Sequence, residues 1–381
     1  MADALFTPLQ LRSLTLRNRV VVSPMQMYAA TDGIVGDWHL VHLGRFALGG
    51  AGMVVVEATA ICPEGRSTLH DNGLWNDAQV AAYRRITDFL RANHAASTIQ
   101  LQHAGRKSSS QAPWDGFGPL GERDASLGEQ AWPAWGPTQN GWSDAYPPTR
   151  QIDGDDFQYL LDCYRRSAKL ALLAGFDAIE IHAAHGYLLH SFLSPLSNTR
   201  SDAYGGSLEG RMRFPLEVVS AVREVWPAER PLLFRMSTVD GTDVGWSLDD
   251  SAVFATRLRA LGVDVIDCSS GGMNLPKATN LVARSPGFQV PFARELRRRA
   301  DMATMAVGLI RTPEQANAII EDGDADLVAL ARELLWNPNW PAQATVTLGA
   351  DREWSLWPRS FGWWLRRRDR HRTSGKSDAA A

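Results

Sequence analysis

No run of about 18 consecutive apolar residues occurs in this chain, so it offers no helix for crossing a bilayer. Cysteine is scarce. Cys62, Cys163 and Cys268 stand far apart and form neither a CxxC pair nor a metal-ligand spacing, which suits a reducing cytoplasm. Charge of one sign is also missing: 39 basic against 42 acidic residues leave a net charge of -3, and no nucleic-acid partner is expected. The one basic run, residues 365–372, is read as a solvated, disordered tail. The first twenty residues lack the apolar core and cleavage site of a signal peptide. The GxGxxG fingerprint is absent from every strand-to-helix turn, which argues against a doubly wound dinucleotide fold.

What is present alternates. Short β-branched runs near 19–23, 52–59, 97–102, 176–183, 232–237, 263–270, 303–308 and 325–331 are separated by longer helical patterns. Continuous apolar strands with intervening helices imply a parallel sheet covered on its outside, and eight such units imply a (β/α)8 barrel. Helix starts are legible at Thr312, followed by Pro313 and Gln315, and at Ser247 with Asp250. Residues 105–150, rich in Gly, Pro and Trp, break the rhythm after the third strand, and an insert of that length is expected to cap the barrel mouth. The barrel is expected over residues 1–345, with a Trp-rich segment and the basic tail over 346–381.

In a barrel of this kind the chemistry sits at the C-terminal ends of the strands. Those ends carry Ser23 to Tyr28, Glu57 and Ala58, Gln100, His182 with His185 and Tyr187, Arg235, Ser269 to Gly272, Gly308 and Arg332. Ser270, Gly271, Gly272, Gly308 and Arg332 read as a phosphate site, because glycines let backbone N–H groups approach an anion and arginine adds a planar cation. Arg235 points inward and needs an anionic or electron-rich partner. For "IHAAHGY" three readings compete. A metal site would need further ligands, for which Glu57 and Glu180 are the candidates. A core role fits poorly at a barrel mouth. Two neutral imidazoles donating to one carbonyl or phenolate oxygen, with Tyr187 as proton donor, fit better. His190, on an apolar stretch, reads as structural.

From about Leu5 to Trp340 the chain resembles the old yellow enzyme family of FMN-dependent ene-reductases. The resemblance rests on "LTLRNRVVVSPM", "VVVEATAICPEGR", "IQLQHAGRK", "GFDAIEIHAAHGYLLHSFLSPLSNTRSDAYGGSLEGRMRFPLEVV", "VDVIDCSSGG" and "MAVGLIRTPEQANAIIEDGDADLVALARELLWNP". It is most similar to the bacterial thermophilic-like and xenobiotic-reductase branch. The resemblance implies that Ser23, Pro24, Met25, Gln26 and Ala58 contact the flavin ring, and that Gln100 and Arg235 hold its pyrimidine side. It further implies that the five phosphate-site residues hold the ribityl phosphate. His182 and His185 would bind the substrate carbonyl, Tyr187 would protonate the α-carbon, and Tyr28 would line the substrate pocket. NADPH or NADH would serve as transient hydride donor, an enone-type molecule as substrate, and a homodimer or higher homo-oligomer as the assembly.

The chain departs from the family pattern at several positions. Gln26 stands where this branch usually has cysteine, and a glutamine there can donate an N–H to the flavin edge or intrude on the substrate space. Gly210 stands where asparagine is usual, with a small stability effect expected. Trp336 replaces an arginine that in some relatives reaches a neighbouring subunit. Trp357 is the candidate for an aromatic residue entering an active site, the alternative being a tail packed on its own barrel. Competing functions are reduction of quinones, nitro compounds or aromatic thioesters, a flavoprotein with a redirected role, and a metal-dependent hydrolase on the same fold. The iron–sulfur cluster of larger relatives would need cysteines this chain lacks.

Overall fold

The eight apolar runs become eight parallel strands: β1 (Val20–Val22), β2 (Met53–Ala60), β3 (Ala96–Gln102), β4 (Ala178–Ala183), β5 (Leu232–Ser237), β6 (Val265–Ser269), β7 (Ala303–Ala306) and β8 (Leu327–Leu330). The computed structural model describes residues 3–274, 282–351 and 353–374, with 370–374 described by backbone alone. Each strand pairs with its neighbours in sequence, and β8 returns to β1 through Val328 opposite Val20, closing the (β/α)8 barrel. A two-residue extension, Asn72–Gly73, adds to the end of β2.

Helices α1 (Asp37–Leu48), α2 (Asp77–Ala92), α3 (Asp155–Leu173), α4 (Leu208–Val225), α5 (Leu248–Ala260), α6 (Val290–Ala300), α7 (Pro313–Glu321) and α8 (Trp340–Thr347) stand between and after the strands. Strands covered this way are buried on both faces, which is why β2 reads "MVVVEATA" with all eight residues buried rather than alternating. The caps form where the sequence placed them. Thr312 accepts from the Gln315 N–H, and Ser247 with Asp250 makes a reciprocal box. Gln315 reaches one residue further back than expected, to the Arg311 N–H.

The barrel interior is layered. At the N-terminal end Val21, Met53, Val55, Ala178, Leu233, Val265, Met305 and Leu327 pack together with Leu11 and Leu16. The last two belong to an antiparallel hairpin, Leu9–Leu11 with Leu14–Leu16, that the sequence reading missed. Two residues further along β2, β4, β5 and β6 the interior turns polar, at Glu57, Glu180, Arg235 and Asp267. Register sets Gln100 opposite Glu180, and aligns His182, Arg235 and Asp267 across β4, β5 and β6.

Two expectations fail. The C-terminal residues are not a disordered tail over their whole length, because Arg359–Ser374 form a helix, α9. Gly210, for which the sequence suggests only a small stability effect, is held more tightly than that. A Cβ there would lie 2.2 Å from the Gly205 carbonyl oxygen, since the 200–207 loop folds back on the first turn of α4. Gly210→Ala is therefore expected to cost about 1–3 kcal/mol by forcing that loop outward. A chemical-denaturation midpoint equal to wild type would show that the loop yields freely.

Candidate active site

β4 ends at Ala183, and the chain turns sharply through His185 (φ +60°) and Gly186 (φ +80°). The left-handed backbone of His185 costs roughly 1–2 kcal/mol in a non-glycine residue, so its surroundings must hold it. The His185 N–H donates to Ser237 Oγ at 3.0 Å, and its carbonyl accepts from Lys107 Nζ at 2.6 Å. Its ring Nε2 pairs with Ser269 Oγ at 2.6 Å. The crossing segment must be glycine: a Cβ on Gly272 would lie 2.1 Å from His185 Cα. His190 is structural. Fully buried, it accepts from the Gly186 N–H at 2.8 Å and pairs with Asp240 at 2.9 Å, pinning the turn from beneath.

The two site histidines are neutral. Burial, reinforced by the nearby Arg235 guanidinium, holds both imidazoles well below the ordinary histidine range. Nδ1 of His182 accepts from the Ala184 N–H at 3.2 Å, so Nε2 carries the hydrogen and faces outward as a donor. In His185 Nε2 is engaged with Ser269, which leaves Nδ1 for a ligand. The His182 ring lies 5.1 Å from His185 and 4.9 Å from Tyr187, centroid to centroid.

Beside them is a cavity of about 230 Å³ lined by Gln26, Tyr28, Ser67, Thr68, Lys107, Ser110, Gln111, Phe117, Trp142, Tyr146, His185 and Tyr187. Six of these come from residues 105–150, so the insert supplies half the wall. Tyr187 is 9% exposed, and its hydroxyl donates to Gln26 Oε1 at 2.6 Å. Gln26 Nε2 turns away from the barrel axis towards Ser67 and Asp71, at 3.2 Å from each. The N–H expected to reach a flavin edge is thus already engaged, a correction that follows from the buried Asp71 carboxyl needing donors.

Lys107 Nζ sits 4.5 Å from the Trp142 ring centroid and 5.8 Å from that of Tyr187. Burial, with Arg106 adding to it, pulls this amine down to about 7. It is therefore charged below that pH and neutral above it. Binding of a small aromatic carboxylate should weaken as pH rises from 6 to 8, by at most about tenfold per unit. Lys107→Met should flatten the profile, and a titration whose slope survives that change would assign the charge elsewhere.

A larger cavity of about 770 Å³ adjoins at His185 and opens over the ends of β5 to β8. Ser270, Gly271, Gly272, Gly308, Arg235 and Arg332 all line it, as do Gln289, Arg284 and Arg311. Gln289 accepts from the Ser270 N–H at 2.9 Å and donates to the Val307 carbonyl at 3.1 Å, tying β6 to β7. A Cβ on Gly308 would lie 2.8 Å from the Gln289 side-chain amide. Beneath the cavity lies a buried ionic layer. Arg235 Nε is 3.1 Å from Asp267 Oδ2, without the geometry of a hydrogen bond. Gln100 donates to Glu180 at 2.7 Å. Burial and the neighbouring Asp267 push Glu180 up to about 8, and burial raises Asp267 as well, so one of the two carboxyls keeps its proton at neutral pH.

Most of the sequence-derived residues converge, but not all. Ser23, Pro24 and Met25 follow β1, and Ala58 packs with Ala104 and Tyr187. Trp357 is not brought in. It is 8% exposed, with its ring tilted against that of Trp354 at 6.1 Å between centroids, while the adjacent Leu356 covers Gly50 at the opposite, N-terminal end of the barrel. The tail packs on its own chain. Sequence reasoning missed Ser67, Asp71, Lys107, Ser237, Gln289 and Arg311. Lys107 and Arg311 lie inside the quoted motifs, whereas Ser67 and Asp71 sit in a loop without periodicity.

Over residues 4–350 the sequence matches the family described as NADH:flavin oxidoreductase / NADH oxidase. An NADPH dehydrogenase of Geobacillus sp. (strain WCH70) is 42% identical over 351 residues, spanning 92% of this chain and 96% of the relative. Among solved structures, morphinone reductase is 28% identical with a TM-score of 0.74, covering 91% of this chain and 90% of that one. A 2-naphthoyl-CoA reductase bound to 2-naphthoyl-CoA reaches a TM-score of 0.80 at 22% identity. This chain spans 53% of that longer one, and the likeness is one of fold.

Proposed function

From the premise that the chain belongs to the NADH:flavin oxidoreductase / NADH oxidase family, we propose that it reduces the activated C=C bond of α,β-unsaturated carbonyl compounds. At the level of class, it is an FMN-dependent NAD(P)H oxidoreductase of the old yellow enzyme type. That class replaces the metal-dependent hydrolase alternative.

The residues fit FMN. The larger cavity is lined by Gly271, Gly272 and Gly308, at two of which a Cβ would strike His185 or Gln289, and by Arg284, Arg311 and Arg332 as cations for a phosphate. Below it, Arg235 Nε, both Asp267 oxygens and Glu180 Oε2 are buried without hydrogen-bond partners among the described residues. Ser270, Gly271, Gly272, Gly308 and Arg332 would hold the phosphate end. Gln100 and Arg235 would face the ring's electron-rich side, and Ser23, Pro24, Met25 and Ala58 its edge. When bound, FMN supplies a two-electron carrier that accepts hydride from NAD(P)H and releases it to an acceptor.

The chain's own residues do the rest. His182 Nε2–H and a second N–H from His185 would donate to the substrate carbonyl oxygen, drawing electron density from the alkene's β-carbon. Because both rings are neutral, they stabilise developing negative charge without surrendering a proton. The Tyr187 hydroxyl would give its proton to the α-carbon. The observation that carries the reading is that the His182 ring lies against those of His185 and Tyr187, both of which line the smaller cavity, with His182 fixed as an Nε2–H donor.

Two finer points belong to the same reading. Residues 105–150 supply half of the smaller cavity's wall and would cap the mouth. Exposed Trp38, Val41 and Trp336 support association with a second copy. Among the described residues no helix is long and apolar enough to cross a membrane. An anaerobic visible spectrum of the purified protein tests the main reading. Bleaching by NADPH and recovery on adding 2-cyclohexenone is the expected result, and a band that stays bleached would point to another oxidant.

A further inference from the structure

We infer that Gln26 is a positioning residue for the proton donor, its side-chain amide being held in one orientation by the buried Asp71 so that it fixes the Tyr187 hydroxyl. The inference rests on the functional reading above, in which Tyr187 delivers the proton. It goes beyond that reading by giving Gln26 a task unrelated to the cofactor.

Asp71, at the far end of the chain of contacts, is 2% exposed. Its carboxyl accepts from the Ser67 N–H at 2.6 Å, Ser67 Oγ at 2.7 Å, the Thr68 N–H at 3.1 Å and Thr68 Oγ1 at 2.8 Å. Four donors converging on two oxygens make Asp71 an acceptor throughout. The end of the Gln26 amide that faces it must be the N–H end, which lies 3.2 Å away. The carbonyl end is thereby turned to the cavity. There it meets Tyr187 Oη at 2.6 Å and Tyr28 Oη at 3.5 Å.

An amide oxygen carries no hydrogen, so Tyr187 is the donor in this bond, and its oxygen is held at one place on the cavity wall. Flipping the amide would set its oxygen against the Asp71 carboxyl and abandon both contacts. The arrangement favours the protonated tyrosine and locates its oxygen. It offers no N–H to a tyrosinate. A shorter apolar or thiol side chain at position 26 could not span from Asp71 to Tyr187, and this glutamine does.

The test uses the FMN-loaded, oxidised protein with tyrosine labelled at Cζ, the Tyr187 resonance being identified by its loss in Tyr187→Phe. Gln26→Leu leaves Asp71 its four other donors, and so is expected to fold. It should move the Tyr187 resonance and slow reoxidation by 2-cyclohexenone by about tenfold or more. Any change in reduction by NADPH should be smaller than that, since hydride delivery to the flavin draws no proton from Tyr187. Reoxidation by a nitroalkene, whose hydride adduct is a stabilised anion that needs no proton to leave, should be unchanged.

Gln26→Glu is the second variant. While protonated, the introduced carboxyl can donate to Asp71 and accept from Tyr187 as the amide does, so enone activity should be near wild type at low pH. Activity should fall as that carboxyl ionises against Asp71 and Glu57, with Lys107, Tyr28 and Tyr187 the other titratable groups facing it. An unmoved resonance with an unchanged enone rate would reduce Gln26 to a spectator. Equal slowing with enone and nitroalkene would show a general structural defect, and would also overturn the inference. A wild-type protein that accepts electrons from NADPH yet leaves the enone untouched would sink the functional reading, and the inference with it.

Discussion

Tyr187→Phe lowers turnover of 2-cyclohexenone by about 10²–10⁴-fold, the range of a lost general acid, while NADPH bleaches the flavin at the wild-type rate. The expectation follows from where the proton resides. Burial, reinforced by Tyr28 and Asp71, raises the Tyr187 hydroxyl well above the ordinary phenol range. The acid form is therefore fully populated across neutral pH, and the wild-type rate should show no break from this group there. Phenylalanine keeps the ring against His182, Ala58 and Ala104. It removes one hydroxyl whose protein hydrogen bond is to Gln26, so the stability change should stay near about 1 kcal/mol. Stopped-flow traces of the two half-reactions decide the matter. Equal slowing of both would indicate a distorted pocket, and an unchanged enone rate would assign the proton to another group, with Lys107 the nearest candidate.

The barrel was legible because each strand is buried on two faces, so each appears as an unbroken β-branched run between helix caps. Strand parity then made part of the site legible as well. Gln100, His182 and Arg235 stand on inward-facing positions of neighbouring strands, and Asp267, two residues before Ser269, shares that parity. The N-terminal hairpin was not legible, since three-residue strands carry too little alternation to register. Ser67, Asp71 and Lys107 were missed for a related reason. They lie on loops, where position is set by turn geometry and long-range hydrogen bonds rather than by a period. Trp357 and residues 365–372 were open to more than one reading because an aromatic and basic stretch has the same composition whether it packs on its own barrel, forms a helix or reaches elsewhere. Gly210 misled because its constraint comes from a carbonyl five residues earlier, and composition cannot show that.

The other large effect belongs to the histidine pair. Replacing both His182 and His185 with alanine should abolish the long-wavelength charge-transfer band that a bound phenolate gives with oxidised flavin. It should lower enone kcat/KM by about 10²–10³-fold, the usual cost of removing a preorganised donor. The two residues should contribute unequally. His182 presents its Nε2–H because Nδ1 is occupied by the Ala184 N–H, and it sits on a strand end with ordinary backbone. His185 has one ring nitrogen engaged with Ser269 and a backbone held at φ +60°. His182→Ala should therefore be the more damaging to binding. His185→Ala should act partly through the turn it stabilises, and His185→Asn, which keeps an N–H donor and tolerates a left-handed backbone, should recover much of the loss. The pH profile supplies an independent check. With both rings neutral through burial, phenol affinity measured in Lys107→Met, which removes the amine that titrates at about 7 beside the same cavity, should rise with pH along the ligand's own ionisation and show no inflection in the ordinary histidine range. An inflection there that disappears in the alanine variants would mean that the clamp binds as imidazolium. Its stabilisation of the phenolate would then come from charge rather than from two oriented N–H groups.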